Sequence, residues 1–154
     1  MRVSFGYPSD EEEGDVLRRR IARRQEEQTL EPVIDAPTLV SLQEIVETVT
    51  VDDSITRYCV ALAAATRGHA HTLVGSSPRG SLALMLTSRA RAVIDGRDYV
   101  TPEDVKAVAP SVLAHRITIK PELWMSSASG ETVVKDVLQS VAAPTVGDLA
   151  DVPR

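Results

Sequence analysis

Cysteine, aromatic rings and positive charge are all scarce in this chain of 154 residues. Cys59 is its single cysteine, so no internal disulfide can form and a multi-thiolate zinc site is excluded. That usage suits a reducing, cytoplasmic setting. Aromatics make up 3% of the residues, too few for a platform on which single-stranded nucleic acid could stack. Lys and Arg number 17 against 22 Asp and Glu, leaving a formal charge of −5. That sign opposes a general nucleic-acid binder. No apolar run approaches the ~20 residues of a membrane span. The opening Met1-Arg2-Val3-Ser4-Phe5-Gly6 lacks the apolar segment of a signal peptide. A P-loop is missing as well. It needs a glycine followed by lysine, and the eight glycines here precede Tyr, Asp, His, Ser, Ser, Arg, Glu and Asp.

What remains is a composition of 43% hydrophobic and 25% charged residues, the balance of a globular domain with an aliphatic core. Arg2–Phe5 alternates and reads as one short strand-like segment, with no ladder partner in the chain. Ser9-Asp10-Glu11-Glu12 reads as a capping box opening a helix. Its acids come first and its arginines (Arg18, Arg19, Arg20, Arg23, Arg24) last, as the helix dipole prefers. That helix is thinly apolar and suits a surface; its arginines read as a solvated face. A connector with Pro32 and Pro37 follows. Helical spacing then returns in Leu39, Leu42, Ile45, Val46 and Val49, and again in Ile55, Tyr58, Cys59 and Leu62. A third helix is expected to turn Leu82, Met85, Leu86, Ala90, Val93 and Ile94 to the core. Thr101-Pro102-Glu103-Asp104 starts another. Ile117-Thr118-Ile119 looks extended, and a last helix spans about Glu131 to Val141. The fold class is therefore all-α, a bundle of four to six helices.

Within it, Gly75-Ser76-Ser77-Pro78-Arg79-Gly80 places a cation where helix physics disfavours one. Ser77 suits an N-cap and Pro78 the first helical position, so Arg79 falls in the first turn. A positive charge there is unfavourable by a few tenths to about 1 kcal/mol. The same helix start offers free N–H groups that attract phosphate. A visiting anion would account for the arginine, and so would a solvated surface side chain. The remaining candidates are bland. His69 and His71 are a single pair, short of the three or four ligands of a zinc site. His115 is isolated. Ser76 and Ser77 lack a nucleophile elbow. Glu11-Glu12-Glu13 reads as helix-start acid. Cys59 reads as a small core hydrophobe.

Three stretches carry a family resemblance: Gly75 to Leu84, Gly96 to Val105, and Leu113-Ala114-His115-Arg116-Ile117. Together they closely resemble the C-terminal part of MoxR-family AAA+ ATPases, and Val3-Ser4-Phe5-Gly6-Tyr7-Pro8-Ser9 is similar to that family's last core strand and its exit into the lid. The resemblance implies a strand remnant at 1–8, a linker helix and connector at 9–36, and a helical lid bundle at 37–117. Beyond these it implies a C-terminal extension at 118–142 and a flexible tail at 143–154. It also implies that Arg79 is the sensor-two arginine reaching the γ-phosphate of ATP, with Ser77 and Pro78 beside it. The P-loop, the magnesium-binding acids, sensor one and the arginine finger belong upstream and are not here. ATP with Mg2+ is thus expected only with the full ATPase, and none for this chain alone. The implied partners are that core, neighbouring subunits of a hexameric ring, and a client of von Willebrand A type. The alternative is an independent helical module that binds a protein partner without any nucleotide.

Overall fold

The computed structural model describes residues 1–27 and 29–145. The tail expected at 143–154 lies mostly outside them. Six α-helices form among the described residues: α1 (Asp10–Arg23), α2 (Ala36–Thr48), α3 (Asp53–Gly68), α4 (Pro78–Ile94), α5 (Pro102–Leu113) and α6 (Gly130–Ser140). Local chemistry starts most of them. Ser9 and Glu12 satisfy one another's amides at α1, as Thr101 and Asp104 do at α5 and Ser129 and Thr132 at α6. The Asp35 carboxylate accepts from the Thr38 N–H at 2.8 Å, and Asp52 accepts from the Ser54 N–H at 2.7 Å. These bonds use helix-start donors that have no intrahelical acceptor.

Helices α3, α4, α5 and α6 share one core. Ile55, Leu62, Leu84, Val105, Val112, Leu113, Val133 and Val134 are wholly buried in it. The α4–α5 contact is the most extensive in the molecule. Its cause corrects the expected face of α4. The stripe that goes inward is Gly80, Leu84, Ser88 and Ala92, whereas Leu82 and Ile94 stand in solvent. Three of those four inward residues are small, which lets the neighbouring backbone come close. A bulkier apolar stripe could not approach so nearly.

A two-stranded antiparallel ribbon, β1 (Thr72–Val74) with β2 (Thr118–Ile119), ties the α3–α4 connection to the segment after α5. The extended reading of Ile117–Ile119 is met there. Arg2–Phe5 forms no strand; the Arg2 N–H donates to the Ser111 carbonyl at 2.8 Å. Residues 1–48 bury none of their described side chains. Val16, Leu17 and Ile21 of α1 and Leu39, Val40, Leu42 and Ile45 of α2 are all exposed. Helix α2 is held at its C-terminal end, where the Arg89 guanidinium bonds the Glu47 carboxylate at 2.8 Å and also the Glu47 carbonyl.

Cys59 lies in the core at 2% exposure, and burial pushes its thiol up to about 11. Thiolate is the reactive form. The native chain at pH 7.5 is therefore expected to resist iodoacetamide and to be alkylated once denaturant unfolds it. Mass spectrometry before and after denaturation checks this, and rapid native labelling would contradict it.

Candidate functional site

Arg79 stands exposed in the first turn of α4, and among the described residues no carboxylate pairs with it. Pro78 opens the helix as expected. Ser77 occupies the cap position, but its side chain makes no capping bond. Something other than a local cap must define this helix start.

That support comes from α3. Ser76 is fully buried. Its N–H donates to the Thr66 hydroxyl at 2.9 Å, and its carbonyl accepts from the Arg67 Nε at 2.7 Å. Thr66 is itself fully buried and donates to the Ala63 carbonyl at 2.7 Å. Gly75 lies directly on the α3 backbone: a β-carbon there would fall 2.6 Å from the Arg67 Cα and N. Gly80 is also closely packed, its β-carbon meeting the Ser76 Oγ, a side-chain atom. Gly75→Ala is therefore expected to destabilise the chain by about 1–3 kcal/mol, since backbone cannot yield as a flexible side chain can. Chemical denaturation would measure this, and an unchanged midpoint would refute the close approach.

Beside Arg79 an open groove of about 510 Å³ runs between α3 and α4. Val51, Val60, Pro78, Leu82 and Met85 give it an apolar lining, and Ser81 and Arg89 add polar groups. Pro78, which precedes Arg79, and Ser81, two residues after it, thus belong to the groove wall. Arg79 combines a helix N-terminus and a positive side chain next in sequence to a residue of an apolar groove. Such a combination suits an anion attached to a less polar body.

The other titratable clusters are structural. Asp104, at 2% exposure, receives both Arg97 guanidinium nitrogens at 2.6 and 2.7 Å and the Thr101 N–H at 2.8 Å. Burial alone would raise its pKa, but the Arg97 and Thr101 bonds prevail and hold it below the ordinary carboxylate value. This cluster joins the end of α4 to the start of α5. His69 sits 3.4 Å from Asp136 of α6 and packs edge-on to His71. Desolvation, then the neighbouring Arg116, lowers the pKa of His115.

Sequence reasoning located Arg79 but missed Thr66 and Arg67. Nothing in the spacing links them to a loop ten residues on. Only the return of the chain along the end of α3 makes them neighbours.

The comparisons with known proteins agree with this architecture. Residues 64–137 match the AAA lid domain family. Chaperone MoxR1 of Mycobacterium tuberculosis is 34% identical over 155 residues, covering 94% of this chain and 40% of its own length. Residues 64–137 form an AAA lid domain, and the chain as a whole is similar to MoxR-family AAA+ proteins. Protein YeaC of Bacillus subtilis is 39% identical over 143 residues, covering 93% of this chain and 44% of its own. A crystal structure of a candidate ATPase from Cytophaga hutchinsonii superposes with a TM-score of 0.83 at 27% identity, covering 94% of this chain and 46% of that chain. The chain thus spans less than half the length of each of these relatives. Among its described residues no helix is long and apolar enough to cross a membrane.

Proposed function

We propose that this lid senses the nucleotide of a MoxR-type ATPase, with Arg79 meeting the γ-phosphate of ATP held by an ATPase core. The observation that carries the reading is the unpaired guanidinium of Arg79 at the positive end of α4. Alone it is electrostatically misplaced; beside a triphosphate, the helix end and the guanidinium act in the same direction. Ser77 and Pro78 present the helix start to the same anion. ATP would draw the lid toward the core, and hydrolysis would release it, so that a rigid-body swing carries mechanical output. The bare apolar surface of residues 1–48 supports docking on such a core and on neighbouring subunits of a ring. Magnesium and the hydrolytic machinery would come from the core. The name of the Mycobacterium relative supports chaperone-like remodelling, and a von Willebrand A-type client in a cytoplasmic setting completes the proposal.

The test is to add the lid to a MoxR-type ATPase core lacking its own and to measure ATP hydrolysis with wild type and Arg79→Ala. Equal rates would defeat the assignment. The groove favours a second reading, in which the lid grips an apolar segment of a protein partner with no nucleotide role. In that case Leu82→Glu would abolish partner capture while Arg79→Ala would not.

A further inference from the structure

The first turn of α4 has no side-chain cap of its own, yet the residue before the cap is buried and doubly bonded. Both bonds come from consecutive residues in the last turn of α3. The Thr66 hydroxyl takes the Ser76 N–H, and the Arg67 guanidinium takes the Ser76 carbonyl. Both polar groups of one peptide residue are therefore fixed from another helix. Gly75 closes the arrangement by lying against the Arg67 backbone, a position no side chain could share. The chain has only Ser77 and Pro78 between this anchor and Arg79.

From this we infer that Thr66 and Arg67 are positioning residues for Arg79, setting the direction in which its guanidinium leaves the bundle. The inference rests on the γ-phosphate reading above and adds residues to that site. A guanidinium on a long flexible stem rewards a fixed base, because phosphate recognition depends on the angle of the planar fork. An Ncap bond would order α4 only relative to its own first turn. Anchoring from α3 orders it relative to the core of the lid, so a pull on Arg79 is transmitted to the whole bundle.

The experiment uses the isotope-labelled full chain at low ionic strength, with inorganic tripolyphosphate as the probe. Amide shifts of Arg79, Gly80 and Ser81 report its binding. Arg79→Ala is expected to weaken binding at least about tenfold, the loss of a charge-assisted contact. Thr66→Val keeps shape and removes the acceptor; a fall of about fivefold is expected, with faster hydrogen exchange at the Ser76 amide. In the Arg79→Ala background the same change should add nothing, because residues acting as one unit are non-additive. Arg67→Lys, which retains charge but loses the Nε donor, should act like Thr66→Val and serves if that variant does not fold. Wild-type affinity in both variants, or an equal further loss in the Arg79→Ala background, overturns the positioning role and leaves Arg79 untouched. No binding by wild type overturns the inference that Thr66 and Arg67 ready Arg79 for phosphate within the lid itself, whereas the γ-phosphate reading is decided separately by the hydrolysis assay with a core.

Discussion

Replacing Arg79 with alanine is expected to lower ATP hydrolysis about a hundredfold in an assembly with a MoxR-type core, the usual loss for one transition-state donor. Folding of the lid should be unaffected, within about 0.5 kcal/mol. The two expectations separate for a physical reason. Arg79 is exposed and has no partner among the described residues, so their folding gains nothing from it. Its charge even opposes the dipole of α4. In the proposed site, bound triphosphate would reverse that balance: negative charge would grow on the transferred group, and a guanidinium shielded by the lid would stabilise it. Lysine at the same place should recover part of the rate, because it keeps charge and loses the planar fork. Steady-state hydrolysis and thermal melting of the same preparations check both halves. Loss of activity accompanied by a large drop in melting temperature would point instead to a folding role.

Asp104→Asn should produce the opposite pattern, a large loss of stability of about 2–3 kcal/mol. The carboxylate is 2% exposed and bridges Arg97, Arg91 and the α5 cap. An amide retains one acceptor oxygen but loses the charge and half of the bidentate pair. The figure stays below that of a fully buried pair because the Arg97 side chain is 24% exposed and can turn to water. For a domain of this size the midpoint should fall by roughly 10 °C. The pH dependence follows from the lowered pKa of Asp104. Its stabilisation is complete above the ordinary carboxylate value of about 4 and is lost as pH falls through the lower folded-state value. The variant should therefore show a weaker acid dependence than wild type between about pH 5 and 2. Melting curves across that range decide it; identical slopes would mean Asp104 is not held low.

Much of the helical layout was legible because it depends on short-range chemistry. Caps at Ser9 and Thr101 act over three residues, and their signatures stand in the sequence. The buried stripe of α4 was not legible. That helix is apolar on several sides, so hydrophobicity alone could not say which side turns inward. Packing against α5 selected the side with the smallest residues. Ser77 shows the same limit at the site itself. Its place before Pro78 was readable, whereas the absence of its capping bond follows from support supplied by α3.

The order of amino acids alone determined that this is an aliphatic helical protein without a P-loop, and that one arginine stands at an unfavourable helix start. Those properties depend on composition, on neighbours a turn apart, and on a motif of six residues. Tertiary structure decided that Arg79 stays unpaired among the described residues, that Thr66 and Arg67 hold the loop before it, and that Asp104 joins two helices. Each of these depends on groups distant along the chain or on which faces meet, and a hydrogen bond acts over about 3 Å of space whatever the distance in sequence.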